Sequence, residues 1–141
     1  MRQAVLIASI PGIGRIGAVT IVAETGDITR FKNIDQLSAY AGLAPTVSQS
    51  GESIHHGHIS KQGPPTLRWV LQQSAWVAIR CSPQARTIYA RISKRAGAKK
   101  AATALARKLL SYAWSVCRKN APFHWPGEPP AATTEETDFE I

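Results

Sequence analysis

The residues most able to do chemistry lie in one polar segment, PTVSQSGESIHHGHISKQG, which spans residues 45–63 between two helical patterns. A connection this long is typically functional or disordered. A serine hydroxyl acts as a nucleophile when a base or a neighbouring positive charge activates it, and the histidines, Lys61 and Arg68 could supply either. Serines in such segments are also common as turn and capping residues, so the spacing alone leaves both interpretations open. The other side chains concerned are Ser48, Ser50, Ser53, Ser60, His55, His56 and His58.

The three neighbouring histidines could belong to a metal site. His56 and His58 would share one face of a strand, with His55 on the other. A zinc site needs further cysteine, histidine or carboxylate ligands, and no cysteine or carboxylate closely follows Glu52 in the sequence. Two-metal phosphoryl chemistry needs clustered carboxylates, and the chain before residue 128 has only Glu24, Asp27, Asp35 and Glu52. We therefore predict no metal site and no cofactor in this chain.

A second candidate segment is SIPGIG (9–14), which resembles a helix-hairpin-helix motif. Glycines such as Gly12 and Gly14 allow a tight turn and a close approach of the backbone to a ligand. The free N–H groups at the start of the next helix, near Arg15, can then hold a phosphate. The same spacing also fits a tight interhelical turn that touches no ligand. The basic charge of the chain favours phosphate binding.

The elements that must position these residues are predicted to be mainly α-helical. Apolar residues recur at helical spacing, and glycine, proline and capping residues separate the helices. Asn33 is predicted to cap one helix and Gly42 to end it, and Ser82-Pro83 is predicted to start another. We expect a compact helical domain with a helix-hairpin-helix-like PGIG turn and a small β-hairpin or polar loop around 46–60. The helices are predicted over 15–24, 34–41, 66–80, 83–94 and 98–120.

The charge distribution is strongly asymmetric. Residues 1–127 hold all seventeen lysines and arginines and only four of the nine acidic residues, a net charge of +13. Residues 53–127 contain no acidic residue. An unbalanced basic surface suggests a polyanionic partner, most often nucleic acid. The candidate contacts on the last helix lie largely off its apolar face: Lys99, Lys100, Arg107 and Lys108.

Domain organisation and location follow from the remaining composition. Residues 1–125 suit one domain, and PGEPPAATTEETDFEI (126–141) is typical of a disordered, acidic, proline-rich tail. The sequence has no apolar run long enough to span a membrane and no secretory signal. Cys81 and Cys117 fall on apolar helical faces and are predicted to be small core residues in a reducing cytoplasm.

Several segments, in order along the chain, together resemble one protein family. They are SIPGIGRIGAVTIVAETGDITRF (9–31), QLSAYAGLAP (36–45), QSGESIHHGHISKQGPPTLRWVL (49–71) and KKAATALARKLLSYAW (99–114). Their ordered series of motifs is far more specific than any single one. Over nearly all of residues 5–125, the chain resembles the C-terminal transposase domain of the insertion-sequence one-ten family, which includes the types numbered 116 and 902.

The resemblance implies a function in DNA transposition, by strand cleavage and exchange. In this family an N-terminal RuvC-like domain binds divalent metal ions, and we expect that domain to be absent here. The C-terminal domain supplies a serine nucleophile, which matches Ser50 in Ser50-Gly51, with Ser48 as the fallback. Lys61 and Arg68 match basic positions that contact phosphate. The implied partners are DNA, an element-encoded guide RNA in some members, and further copies of the full-length protein, in the nucleoid-associated cytoplasm of a bacterium.

The chain departs from the family pattern at two places. The family often has arginine or lysine where this sequence has His55, His56 and His58, which are mostly uncharged at neutral pH. Pro64 replaces the usual asparagine. The sequence therefore leaves two alternatives to a catalytic domain that is inactive alone: a non-catalytic nucleic-acid-binding module from a truncated or decayed transposase, and a helical assembly module that uses its apolar stripes or Trp69 and Trp76.

Overall fold

The computed structural model describes the backbone of residues 2–50, 53–59 and 63–127, and the side chains of 2–44 and 63–127. Six α-helices make up most of this part, which confirms the mainly α prediction. They are α1 (Arg2–Ala8), α2 (Arg15–Thr25), α3 (Ile34–Ala41), α4 (Pro65–Cys81), α5 (Pro83–Ala96) and α6 (Ala98–Lys119). A 3-10 turn, Ile28–Arg30, lies between α2 and α3.

The helix boundaries follow from local capping chemistry. The Asn33 side chain accepts a hydrogen bond from the Gln36 N–H at 2.9 Å, and Gly42 ends α3 in the left-handed conformation. The Ser82 hydroxyl accepts from the Ala85 N–H at 3.3 Å, with proline at the first position of α5. The predictions for these three caps are confirmed.

The long helix α6 lies at the centre of the core and packs against α1, α3, α4 and α5. Leu105, Leu109 and Leu110 on α6 are fully buried. On α4, the predicted apolar stripe is buried from Leu67 to Ala78. Both stripes therefore serve the core of this chain, so they are not surfaces for subunit assembly.

Polar contacts fix α3 and the 3-10 turn against the rest of the core. The Tyr40 hydroxyl donates to the Glu24 carbonyl at 2.7 Å, and the Trp114 indole N–H donates to the Phe31 carbonyl at 3.1 Å. Each bond joins two different elements of the fold. Together the bonds fix the positions of α3 and of the 3-10 turn relative to the other helices.

Two strands, β1 (Pro45–Ser50) and β2 (Ser53–Ile59), pair antiparallel between α3 and α4. Ser50 pairs with Ser53, and Ser48 pairs with His55, with an irregularity between Pro45 and Val47. Lys61 and the predicted tail beyond residue 127 lie outside the described residues.

Gly63 holds the end of this segment close to α3. Its φ is +145°, and a Cβ there would collide with the carbonyl oxygen of Tyr40. Only glycine allows both this backbone conformation and this approach. The polar segment is therefore tied to the helical core immediately before α4 begins.

The prediction that both cysteines are small core residues is wrong for Cys81. Cys81 is exposed at the end of α4, because the core ends before the last turn of that helix. Cys117 is half-buried and lies 3.9 Å from the Gln3 carbonyl. Burial, followed by the negative charge of Asp27, raises the pKa of the Cys117 thiol to about 11.

We expect a thiol reagent to modify one cysteine per folded chain rapidly at about pH 8. The thiolate is the reactive form, and with a pKa of about 11 only about one Cys117 thiol in a thousand is ionised at that pH. Absorbance from an aromatic disulfide reagent measures the two rates. Cys81→Ser should remove the fast phase and Cys117→Ser should leave it. Two thiols of equal rate in the folded chain, rather than only after denaturation, would contradict this prediction.

Among the described residues, no helix is long and apolar enough to cross a membrane.

Candidate nucleic-acid interface

The PGIG turn joins α1 to α2 and is closed by its own backbone. The Ser9 and Ile10 N–H groups donate to the carbonyls of Leu6 and Ile7, and the Ile13 N–H donates to the Ile10 carbonyl at 3.1 Å. The Ile10 and Ile13 side chains are buried. The turn is therefore a fixed element with its apolar residues in the core and its glycines nearer the surface.

Gly12 in this turn packs directly against α4. Its φ is +91°, and a Cβ built there would lie 2.7 Å from the Ala78 Cβ, 2.8 Å from the Ala78 nitrogen and in conflict with the Ser74 carbonyl oxygen. The close approach that this glycine allows is an approach to α4. Gly12 thus has a structural role that explains its residue type.

Gly14 has a different environment, although it is only two residues away. It is the N-cap residue of α2, with φ −80° and ψ −179°, and it offers no side chain to cap the helix. A Cβ built there has no atom within 4 Å. The first N–H groups of a helix have no intrahelical partner, and the exposed first turn of α2 leaves room for an anion beside them.

An open groove of about 280 Å³ runs from this turn along the α2–α4 contact. Gly14 and Ile16 line it on one side and Trp69 and Val77 on the other. Trp69 is 61 % exposed, so its side chain is not in the core. Trp76 is 40 % exposed and contacts the Tyr89 ring edge-on at 5.8 Å. Core packing therefore does not explain the position of either tryptophan.

Exposed cations gather where α5 meets α6. Lys94 and Arg95 occupy the last turn of α5, and Lys99 and Lys100 follow Gly97 in the first turn of α6. All four are exposed. Cations at a helix N-terminus are unfavourable beside the positive end of the helix dipole, so a bound anion would relieve repulsion there. The sequence prediction named Lys99 and Lys100 but missed Lys94 and Arg95, although the run KRAGAKK (94–100) holds all four cations.

The Arg107 side chain, a predicted nucleic-acid contact, makes a hydrogen bond within the chain. Its Nη1 donates to the Leu43 carbonyl at 3.1 Å, and the side chain is half-buried. Burial lowers the pKa of the Arg107 guanidinium. This bond joins α6 to the start of the polar segment. Lys108, the next residue, is also half-buried.

Arg68 carries an unsatisfied polar atom in the first turns of α4. Its Nη1 is shielded from solvent and has no hydrogen-bond partner in the part of the chain that the structure describes. A shielded guanidinium nitrogen without an acceptor is unfavourable. An oxygen atom of a bound group can accept the missing hydrogen bond of Arg68. Phosphate is a group that arginine binds especially well.

The predicted nucleophiles are described only through their backbone. Ser48 lies within β1, and Ser50 is its last residue. Their side chains, those of the three neighbouring histidines, and the whole of Lys61 fall outside the described residues. The role of Ser50, with Ser48 as its fallback, therefore stays a prediction.

The described carboxylates do not form a metal site. No group of three His, Cys, Asp or Glu side chains comes together among the described residues. Asp27 instead accepts hydrogen bonds from Thr29 and Gln3, which lower the pKa of its carboxyl group. The side chains present in the described part do not fit the divalent ions of a RuvC-like centre.

Comparison with known protein families places this sequence among the transposases of insertion elements. Residues 4–90 match the family described as Transposase IS116/IS110/IS902. Because this match covers more than half of the chain, the chain belongs to that family. The family identified from the ordered sequence motifs is confirmed.

Relatives in the same family are similar over most of this chain. An uncharacterized 42 kDa protein of insertion element IS900 from Mycobacterium paratuberculosis is 37% identical over 137 residues, covering 94% of this chain and 33% of the relative. The pilin gene-inverting protein of Moraxella bovis is 36% identical over 125 residues, covering 86% and 39%. The transposase for insertion sequence element IS1111A of Coxiella burnetii is 32% identical over 122 residues, covering 83% and 33%.

The chain spans between a third and two fifths of the length of these relatives.

Proposed function

We propose that this chain is the DNA-binding, serine-nucleophile domain of an insertion-sequence transposase, acting in strand cleavage and exchange. The observation that carries the proposal is the family match over residues 4–90. Relatives named for transposition and for inversion of a pilin gene support DNA rearrangement as the process. We place the chain at the C-terminal end of such a protein, beside a RuvC-like domain.

Three groups of atoms supply the phosphate contacts in this proposal. The open first turn of α2 at Gly14 offers backbone N–H groups. The α5–α6 corner offers four exposed cations, and Arg68 offers a shielded nitrogen that lacks an acceptor among the described residues. Contacts of these kinds position nucleic acid without reading its sequence. Target choice then belongs to other parts of the protein or to a guide RNA.

The covalent step balances without a further reactant. The Ser50 Oγ attacks a DNA phosphorus, the new O–P bond replaces the bond to one deoxyribose oxygen, and the serine proton passes to that leaving oxygen. The reverse attack, by a deoxyribose hydroxyl of another strand, releases the serine and joins the strands. Each step exchanges one phosphoester for another, and nearby cations stabilise the charge that develops on the phosphate.

Divalent metal ions belong to the RuvC-like domain in this proposal, since the described carboxylates here do not fit them. The chain alone is therefore expected to bind DNA without cleaving it. In the full-length protein, further copies of the subunit would assemble on the DNA in the nucleoid-associated cytoplasm. No partner in this proposal involves a membrane.

The test of DNA binding is a matched pair of substitutions at Gly14. Gly14→Asn and Gly14→Asp both supply a side-chain oxygen that caps α2, so both should keep or slightly raise the melting temperature. Only aspartate places a negative charge where the phosphate would lie, and we expect it to bind a short duplex about tenfold more weakly than asparagine does. Fluorescence anisotropy with a labelled duplex, over a series of salt concentrations, measures both affinities.

The salt series supplies the control for this pair. Binding that depends on phosphate contacts must weaken as salt rises, because each contact releases counterions. Affinity independent of salt would contradict nucleic-acid binding as a whole. Equal affinities of Gly14→Asn and Gly14→Asp would remove the α2 turn from the interface and leave the α5–α6 corner and Arg68.

A further inference from the structure

Two glycines, Gly12 and Gly17, lie at the floor of the groove between α2 and α4. Gly12 contacts α4 directly, and a Cβ at Gly17 would lie in ordinary van der Waals contact with Val70 at 3.5 Å and Ser74 at 3.9 Å. Because Gly12 has no side chain, the PGIG turn approaches α4 closely at the floor, while the larger side chains of α2 and α4 stand apart above it. The resulting space of about 280 Å³ is open to solvent along one side.

The walls of this groove are apolar and exposed. Ile16 is 85 % exposed on α2, and Trp69 is 61 % exposed and Val77 38 % exposed on α4. In the described part of the chain, no other aromatic ring and no cation stacks on the Trp69 indole. A contiguous apolar patch of this kind marks a binding surface. The flat face of Trp69 is available to a flat partner.

Polar groups lie at the edges of the same groove. Thr66 and Gln73 line it on the α4 side, and Gln73 is exposed, so its carboxamide can both donate and accept. At one end, Gly14 opens onto the first turn of α2. One groove therefore combines a stacking face, a hydrogen-bonding edge and an anion-binding end.

The charge of the chain near the groove indicates which kind of partner can use the stacking face, the hydrogen-bonding edge and the anion-binding end together. The described part of the chain from residue 63 to residue 127 has no acidic residue. Arg80 is exposed on the same face of α4 as Trp69, three helical turns along. An identical chain carries the same net charge of +8, so like-charge repulsion opposes its approach to this groove. A polyanion with flat apolar units meets both requirements.

We propose that this groove binds an unpaired nucleobase, stacked on Trp69, with the attached phosphate at the N-terminal turn of α2. The bound molecule is a single-stranded or locally opened segment of nucleic acid. The inference rests on the proposed nucleic-acid-binding function and adds a specific mode of contact to it. Stacking on one aromatic ring tolerates any base, since every base has a π face.

The test compares two oligonucleotides of equal length, an oligothymidine and an abasic strand with the same phosphates but no bases. The full chain should bind the oligothymidine about tenfold more tightly than the abasic strand. Trp69→Ala should weaken oligothymidine binding by about tenfold and leave abasic binding unchanged. Trp69→Phe should restore part of the difference. Trp76→Leu, which removes an exposed tryptophan outside the groove, is the matched control and should not change the ratio.

Each other outcome has a distinct meaning. Equal affinity for the two strands, or equal weakening of both by Trp69→Ala, overturns the nucleobase site while salt-dependent DNA binding stands. Binding of neither strand nor duplex overturns the proposed function and this site with it. If sedimentation shows a dimer that Trp69→Ala dissociates, without a change in the preference between strands, the groove is a contact between copies of the chain and the proposal is wrong. Circular dichroism shows whether each variant is folded.

Discussion

Replacing Ser50 with alanine is expected to abolish DNA strand exchange, by roughly 10³-fold or more, and to leave DNA binding unchanged. Alanine cannot form the phosphoester that holds the cleaved strand, so the reaction loses its covalent intermediate. The phosphate contacts that we propose come from α2, α4 and the α5–α6 corner, and none of them uses the Ser50 hydroxyl. Chemistry and affinity should therefore separate in this variant.

The experiment needs a full-length protein with a measurable rearrangement. The pilin gene-inverting protein of Moraxella bovis is similar over 86% of this chain, so a chimera in which this chain replaces the matching segment can be tested on an invertible reporter. The chimera with the natural sequence must first invert the reporter. Inversion frequency measures exchange, and anisotropy with a labelled duplex measures binding.

Ser48→Ala in the same chimera is the matched control. Ser48 lies in the same strand as Ser50, two residues earlier, and its loss should leave inversion largely intact. If Ser48→Ala abolishes inversion and Ser50→Ala does not, the nucleophile is the fallback serine. If both variants invert the reporter, no serine of β1 is the nucleophile. The proposal of a serine nucleophile at Ser50 or Ser48 would then be wrong.

Replacing Gly12 with alanine is expected to lower the free energy of unfolding by about 3 kcal/mol. The added methyl group meets the backbone of α4 at Ser74 and Ala78, and alanine at φ +91° is strained even without that collision. Neither cost is relieved by a side-chain rotation, since the obstructing atoms belong to a helix backbone. A fall of about 10 °C in the melting temperature should result.

Gly14→Ala is the control for this prediction, because it adds the same atoms to the same turn. Its φ of −80° suits alanine, and no atom lies within 4 Å of the added carbon. Alanine is a poorer N-cap residue than glycine, so the stability of this variant should fall by about 1 kcal/mol or less. Thermal and urea unfolding followed by circular dichroism compare the three proteins. Equal stabilities of Gly12→Ala and Gly14→Ala would show that the turn moves away from α4 at little cost.

Much of the helical architecture could be predicted because its causes are local. Asn33, Gly42 and Ser82 bound their helices through contacts with residues three or four positions away. The apolar spacing in α4 and α6 defined the faces that become the core. The ordered motifs also sufficed to identify the family before any packing was known.

The candidate site was less predictable, because its properties depend on what lies opposite each residue. Arg107 and Lys108 are adjacent residues on α6. The Arg107 side chain nevertheless donates a hydrogen bond to the carbonyl of Leu43, which is distant in sequence. Cys81 has an apolar helical setting but no neighbour that covers it.

The PGIG turn and the residues around it also separate what the sequence determines from what depends on the tertiary structure. The sequence alone determined the excess of positive charge, the helical periodicity and the family, since these depend only on the order of residues along the chain. Only the tertiary structure decided that Gly12 packs on α4 while Gly14 opens to solvent. The same holds for the groove beside Trp69 and for the shielded nitrogen of Arg68, which has no acceptor among the described residues. The physical reason is that burial, close approach and unsatisfied hydrogen bonds are properties of pairs of atoms distant in sequence, and the packing of α2 against α4 creates those pairs.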